Sequence, residues 1–142
     1  MSFFITTPIY YVNDVPHIGH AYTTIACDIF ARFNKLKSED TFFLTGTDEH
    51  GQKVEKAALA QNKDTQIFVD EMSTNFRDLV PYLGCDNDDF IRTTDNKHKS
   101  AAQFLWNKLK SNNQIYLSNY EGWYSIRDEA FYQESELNKT EN

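Results

Sequence analysis

The spacing of apolar residues predicts a strand, a helix and a second strand in the first third of the chain. The run Phe3–Thr7 predicts a buried strand, which Pro8 ends because proline has no N–H for a central ladder. A loop is predicted over Ile9–Pro16, and Thr41–Leu44 predicts a short strand covered on both faces. Between them, apolar residues recur at steps of three and four, which predicts an amphipathic helix containing Ile18, Tyr22, Ile25, Ile29, Phe33 and Leu36.

The middle of the chain predicts two further helices. Alanine- and lysine-rich sequence predicts one over Gln52–Gln61, and Asp64 or Thr65 is expected to cap the next. Gly84 is expected to end this second helix, since glycine commonly follows the last helical residue. Its predicted inward positions are Phe68, Met72, Phe76, Leu79 and Leu83.

The last part of the chain combines a helix with short aromatic strands. Thr94 or Asp95 is expected to begin a helix through Ala102, Leu105 and Leu109, followed by a turn at Asn112–Asn113. Strands are predicted at Phe90–Arg92, Ile115–Leu117, Trp123–Tyr124 and Phe131–Tyr132.

The order strand, helix, strand is typical of the right-handed crossover in a doubly wound sheet. We therefore expect an α/β fold, with the first half of a Rossmann-like parallel sheet over 1–114 and the beginning of a small insertion over 115–142. Gly46–Gly51 is expected to form the loop at the carboxyl end of the second strand, the edge where ligands bind in open α/β sheets. The polar tail 138–142 is expected to fray.

Two histidines flank a glycine where the first helix begins. The free N–H groups of a first turn and the helix dipole favour a bound anion, so His17 and His20 are candidates to donate hydrogen bonds to phosphate. Gly19 has no Cβ, so a nucleobase can approach its backbone. Two surface or capping histidines are the alternative interpretation of this short motif.

Three segments together resemble one enzyme family. TPIYYVNDVPHIGH, FLTGTDEHGQKVEKAA and EGWYSIRDEAFY, in this order, resemble the amino-terminal catalytic segment of the methionyl-tRNA synthetases, which are class I aminoacyl-tRNA synthetases. The resemblance runs from Phe4 to about Leu137. It implies ATP-dependent activation of methionine to methionyl-adenylate and transfer to tRNA(Met). A different HxGH nucleotidyltransferase, or a synthetase for another amino acid, is the alternative within enzymes.

The resemblance also implies roles for individual residues. His17 and His20 would act in catalysis by binding ATP phosphate, and Gly19 would make room for adenine. Methionine would be bound by Ile9, Tyr11 and Asp48, with Asp48 holding the α-ammonium group and Asn13 and His50 in support. The alternatives are core packing for Ile9 and Tyr11, a bond of Asp48 to its own loop backbone, and an ordinary capping role for His50.

Charge and cysteine content restrict the partners. A net charge of −7 argues against this segment as the main tRNA-gripping surface, and no DNA partner is expected. Cys27 and Cys85 stand far apart without a CxxC motif, which favours reduced thiols, and the insertion segment lacks the cysteines of a zinc knuckle. We expect ATP with Mg²⁺ as a substrate and no zinc. Without an apolar run of membrane-spanning length or a leader, the expected location is the cytoplasm and no membrane partner is expected.

The second, lysine-bearing loop with which class I synthetases close their nucleotide site does not occur in this sequence. The chain is therefore expected to be one part of a longer ligase and inactive alone. The alternative is a non-catalytic or defunct truncated relative that binds a nucleotide or a partner.

Overall fold

The computed structural model describes residues 2–137, and the expected fraying of 138–142 lies outside them. The chain divides into two compact units, Met1–Ala101 and Ala102–Asn142. The helices and strands follow in the order β1 Ser2–Thr6, β2 Tyr10–Tyr11, α1 Ile18–Leu36, β3 Asp40–Asp48, α2 Gln52–Ala60, α3 Thr65–Tyr82, β4 Asp89–Arg92, α4 Asn96–Ser111, β5 Trp123–Ser125, β6 Ala130–Tyr132 and a 3₁₀ turn at Glu134–Glu136. Within residues 2–137, no helix combines the length and apolar character that crossing a membrane requires.

The sheet of the first unit is parallel and centred on β3. Strand β1 pairs with the first half of β3, from Ser2 opposite Asp40 to Thr6 opposite Leu44. Strand β4 pairs with β3 from Leu44 onwards, so β1 and β4 lie on opposite sides of it. Helix α1 crosses between β1 and β3 and packs on both. The predicted α/β class with a parallel sheet is confirmed.

Strand β3 is longer than its sequence pattern predicts. The predicted loop Gly46–Gly51 begins as strand, because the backbone of residues 46–48 continues the ladder with β4 and with β2. Strand β2 itself lies in the predicted loop Ile9–Pro16, with Tyr10 opposite Thr47 and Tyr11 opposite Asp48. Ladder partners distant in sequence convert both loop ends into strand.

Gly46 allows β3 and β4 to approach closely. A Cβ at this position would lie 2.0 Å from the carbonyl oxygen of Ile91, its partner in the ladder. No side chain fits at that distance, so the glycine is required by packing between strands.

The core of the first unit lies between the sheet, α2 and α3. Asp64 caps α3, its carboxylate accepting from the N–H groups of Gln66 and Ile67, as one of the two predicted caps. Gly84 follows the helix with φ +68°. The buried cluster consists of Tyr10, Val12, Val54, Ala58, Phe68, Val69, Met72 and Phe76. The predicted inward positions Phe68, Met72 and Phe76 are confirmed, whereas Leu79 and Leu83 are only half-buried.

Helix α1 forms where predicted, but its apolar stripe does not face the sheet. The residues it buries are Ala21, Thr24, Asp28, Ala31 and Asn34, whose small or polar side chains let the helix lie close to β1 and β3. The predicted apolar positions are exposed, from 39% at Ile25 to 85% at Leu36. Phe42 of β3 is also 44% exposed, so the prediction that this strand is covered on both faces is wrong.

The second unit contains an antiparallel hairpin. Strands β5 and β6 pair from Trp123 opposite Tyr132 to Ser125 opposite Ala130, which confirms two predicted strands. The predicted strand Ile115–Leu117 is wrong, because among residues 2–137 no strand pairs with it and Leu117 is fully exposed. The turn at Asn112–Asn113 is confirmed.

Candidate active site at the carboxyl edge of the sheet

The two histidines at the start of α1 cap the helix through each other. His17 is the N-cap residue, and its Nδ1 accepts a hydrogen bond from the N–H of Gly19 at 3.1 Å. The Nδ1 of His20 accepts from the N–H of His17, also at 3.1 Å. This reciprocal arrangement is a capping box in which imidazole nitrogens replace the usual oxygens. The capping alternative is therefore correct as a description of Nδ1.

The capping bonds determine which nitrogen of each ring carries the proton. A ring nitrogen that accepts an N–H bond is unprotonated, so each neutral ring holds its proton on Nε2. The rings of His17 and His20 stack at 3.9 Å between centroids. Both Nε2–H groups thus remain as donors at the start of the helix. Capping and anion binding use different nitrogens and are compatible.

The surroundings of His20 favour its neutral form. Its ring contacts Tyr10 edge-on at 4.7 Å and Phe76 at 5.1 Å between centroids. Burial among these rings lowers the pKa of His20, and the charge of His17 lowers it further. The Tyr10 hydroxyl is hydrogen-bonded to Thr24 Oγ1 at 3.0 Å, and burial raises the pKa of this phenol. Helix α1, strand β2 and helix α3 together hold His20 in place.

An open cavity of about 630 Å³ brings most of the predicted site residues together. Its lining includes Ile9, Tyr11, Asn13, His17, Gly19 and His20. Ile9 and Tyr11 are 40% and 46% exposed, so the alternative in which they are core residues does not describe this chain. A Cβ on Gly19 would lie 2.9 Å from Cε1 of the His17 ring. Gly19 therefore makes room for the capping ring, a requirement that its sequence context did not indicate.

Asp48 and His50 are not among the residues that line this cavity. Asp48 ends β3 and is paired in the ladder with Tyr11, a lining residue. Within residues 2–137 the Asp48 carboxylate makes no hydrogen bond or ion pair, so it is not bonded to its own loop backbone. The ring Nε2 of His50 lies 3.2 Å from the carbonyl oxygen of Thr93, which ties the loop after β3 to the end of β4.

Two charged residues that the sequence did not single out, Glu49 and Arg92, form a bidentate ion pair next to Asp48. The Glu49 carboxylate, with 0% of its side chain exposed, accepts from Arg92 Nε at 2.7 Å and Nη2 at 2.8 Å. Thr47 and Thr94 donate their hydroxyls to the same carboxylate. Hydrogen bonding to Glu49 raises the pKa of Arg92, and Arg92 lowers the pKa of Asp70, its second acidic partner.

Sequence spacing could not reveal this pair. Glu49 and Arg92 are 43 positions apart, and each stands among ordinary loop or strand-end residues. Only the ladder between β3 and β4 brings them together. The one signal in the sequence was an acidic residue directly after an apolar strand, which also suits a solvated loop.

Metal and thiol chemistry are not apparent in the part of the chain that the structure describes. Residues 2–137 contain no group of three or more His, Cys, Asp or Glu side chains arranged to hold a metal ion. Cys27 and Cys85 are separate thiols, and burial raises the pKa of each.

Known proteins match this chain over nearly all of its length. The model of the family described as tRNA synthetases class I (M) matches residues 3–140. The methionine–tRNA ligase of Rickettsia prowazekii (strain Madrid E) is 62% identical over 138 residues, which are 97% of this chain and 27% of that protein. The corresponding ligase of Bacillus subtilis (strain 168) is 51% identical over 136 residues, 96% of this chain and 20% of that protein.

A solved structure shows the same fold. A crystal structure of Mycobacterium tuberculosis methionyl-tRNA synthetase bound by methionyl-adenylate matches with a TM-score of 0.90 and 47% identity, covering 96% of this chain and 27% of that one. The predicted Rossmann-like class is confirmed by this match. The chain spans about a quarter of the length of the relatives it matches. With a family model covering residues 3–140, the chain belongs to the class I tRNA synthetases of the methionine (M) type.

Proposed function

We propose that this chain is the part of a methionine–tRNA ligase that binds ATP and methionine. In the proposed reaction a carboxylate oxygen of methionine attacks the α-phosphorus of ATP, a new P–O bond forms, and pyrophosphate leaves. Methionyl-adenylate then transfers its methionyl group to the terminal ribose of tRNA(Met), releasing AMP. The observation that carries the proposal is that His17 and His20, with Nε2–H donors available, line the same cavity as Ile9 and Tyr11.

The ATP phosphates would bind at the start of α1. This chemistry needs no protein nucleophile, but it needs donors placed where negative charge develops on phosphorus. Two Nε2–H groups on stacked, mutually capped rings are preorganised donors, because their backbone bonds hold the rings before substrate arrives. A neutral His20 still donates through Nε2, so donation at pH 7 does not require its protonation. Gly19 would lie against the adenine.

Methionine would bind beside Tyr11. The thioether side chain packs well on an aromatic ring, and Ile9 and Tyr11 are exposed to the cavity. The Asp48 carboxylate is adjacent to Tyr11 in the ladder and makes no bond within residues 2–137, so it is free to accept the α-ammonium group. Asn13 and His50 would support the site, Asn13 from the cavity wall and His50 by holding its loop on Thr93.

Further components of the proposal follow from the family. ATP would enter with Mg²⁺ as a substrate, and no zinc ion is required by the residues present. tRNA(Met) would be held mainly by other parts of the ligase, since a net charge of −7 makes this segment a poor phosphate-binding surface. A cytoplasmic location is part of the same proposal.

Amino-acid-dependent exchange of pyrophosphate into ATP tests the proposal. The natural gene product that carries this chain is assayed beside the 142-residue chain, with methionine and with each of several other amino acids. We expect exchange driven by methionine in the natural product and little or none in the 142-residue chain. Exchange driven by another amino acid would contradict the substrate assignment. No exchange at all would favour a non-catalytic relative that binds a nucleotide or a partner.

Substitutions in the natural product separate the two binding functions. His20→Asn keeps an acceptor oxygen at the position of Nδ1 and has no atom at the position of Nε2, so exchange is expected to fall about 100-fold while the melting temperature changes little. Asp48→Asn is expected to raise the KM for methionine about 10-fold or more and leave that for ATP within about twofold. His98→Gln on α4 is the matched histidine control. Equal losses in all three variants would reject the assigned roles.

A further inference from the structure

The side chains on either side of Asp48 are fixed by hydrogen bonds, whereas the Asp48 carboxylate makes no hydrogen bond or ion pair within residues 2–137. Its predecessor Thr47 accepts, through its carbonyl oxygen, the N–H of Thr93 at 3.2 Å. Its successor Glu49 donates its N–H to Thr93 Oγ1 at 2.8 Å. The bonds of its two neighbours to the end of β4 therefore fix the backbone that carries the Asp48 carboxylate.

The side chain of Glu49 is the centre of this arrangement. It is fully buried and receives four donors, two from Arg92 and one each from Thr47 and Thr94. A buried carboxylate with a bidentate guanidinium partner has one low-energy orientation, because every alternative leaves a desolvated charge unpaired. Successive residues of an extended chain direct their side chains to opposite sides, so fixing Glu49 on one side directs Asp48 to the other.

We propose that Glu49 and Arg92 are positioning residues for methionine, holding Asp48 where its carboxylate meets the α-ammonium group. The inference rests on the proposed function, since it concerns the site assigned there to methionine. Neither residue touches substrate in this role. Because the histidines that would bind ATP lie on α1 and are held by their own capping bonds, the pair acts on methionine and not on ATP.

Arg92→Lys in the natural gene product is the main test. Lysine keeps the charge but not the two-pronged geometry, so Glu49 loses its fixed orientation. We expect the KM for methionine in pyrophosphate exchange to rise about 10-fold, with the KM for ATP within about twofold. Glu49→Gln is expected to act in the same direction. A general loss of structure would instead lower kcat and alter both KM values together.

Asp70→Asn is the matched control. Asp70 accepts from Arg92 Nη2, yet it is half exposed and bonds neither Thr47 nor Glu49. Its removal leaves both Arg92–Glu49 bonds in place, and the KM for methionine is expected to stay within about twofold. If Arg92→Lys does not fold, Thr94→Val removes one donor to Glu49 without changing charge and is expected to raise that KM about threefold.

Each outcome decides the inference. The inference would be overturned if the KM for methionine were unchanged in three folded variants, Arg92→Lys, Glu49→Gln and Thr94→Val. In that case the proposed function would still stand, provided that the wild type shows methionine-dependent exchange. Parallel changes for methionine and ATP would also overturn the inference. Absence of methionine-dependent exchange in the wild type would overturn the proposed function and this inference with it.

Discussion

Helices α1 and α3 have nearly the same length, 19 and 18 residues, and both pack on strand β3, yet they bury opposite kinds of residue. Helix α3 buries Phe68, Val69, Met72, Phe76 and Val80. Helix α1 buries alanine, threonine, aspartate and asparagine, and it exposes Ile18, Tyr22, Ile29, Phe30, Phe33 and Leu36. One helix is held by apolar burial and the other by close approach and polar bonds.

The polar bonds of α1 are specific. Its buried Asp28 accepts from Arg32 Nε at 2.6 Å and from the N–H of Asp86 at 2.9 Å, and Arg32 also donates to the carbonyl oxygen of Gly84. These bonds join α1 to the segment between α3 and β4. An amphipathic pattern therefore identifies a helix but does not show which of its faces is covered by the rest of residues 2–137. The apolar face of α1 is a large exposed surface within residues 2–137.

The largest effect is expected on the α3 side. Phe68→Ala removes a fully buried ring from the core cluster and should lower the free energy of unfolding by about 3–5 kcal/mol. Phe30→Ala on α1, where the ring is 57% exposed, is the matched control and should change it by less than about 0.5 kcal/mol. Urea denaturation of both variants measures the difference. Similar losses for the two would show that the apolar face of α1 is covered in solution.

Substitutions of the residues that cap α1 and α3 are expected to have a smaller effect on the free energy of unfolding. Asp64→Ala removes the carboxylate that accepts two N–H groups at the start of α3 and should cost about 1 kcal/mol of unfolding free energy. Asp64→Asn keeps an acceptor oxygen and should retain most of the unfolding free energy that Asp64→Ala loses. His17→Ala at the start of α1 should cost about as much and in addition lower pyrophosphate exchange. Exchange unaffected by His17→Ala would assign that ring to capping alone.

The start of α1 is expected to respond to pH through His20. Because the pKa of His20 is lower in the folded chain than the ordinary value near 6.5, the unfolded chain binds more protons at and below this pH. The contribution of the neutral His20 ring to the free energy of unfolding is fully present above pH 6.5. It is lost as the pH falls towards the pKa that His20 has in the folded chain. Urea denaturation between pH 7.5 and 5.5 should show a steeper loss in the wild type than in His20→Gln, whose side chain caps without titrating. An equal loss of unfolding free energy with falling pH in the two proteins would contradict the lowered pKa of His20.

The smallest effect on stability is expected on the exposed face of α1. Replacing Ile29 and Phe33 together by glutamine should change the free energy of unfolding by less than about 0.5 kcal/mol. The same change should reduce self-association of the 142-residue chain, because it interrupts the apolar face. Sedimentation velocity over a range of concentrations measures this. A wild-type chain that remains monomeric at every concentration would show that the face does not drive association.

The fold was predictable where neighbouring residues carried the signal. Helices α2 and α3 fall within a residue of their predicted limits, and Asp64 was recognisable as a cap from its chemistry and place. Strand β2 and the second half of β3 were not predictable, because Tyr10 and Thr47 become strand only through a ladder between distant segments. The strand predicted at Ile115–Leu117 does not form for a related reason. Its composition is typical of a strand, but no other strand within residues 2–137 pairs with it.

The amino-acid sequence was enough to predict the α/β class, the helix that begins at the histidine pair, and most of the residues around the cavity. The class and the helix follow from local periodicity, and the histidines follow from a motif whose members are three positions apart. Ile9, Tyr11 and Asn13 were implied only by the resemblance of the surrounding segments to a known family. The three-dimensional packing was needed to show which face of α1 is covered and that Glu49 meets Arg92. Those outcomes depend on contacts across tens of residues, where packing and desolvation act on pairs that no local pattern brings together.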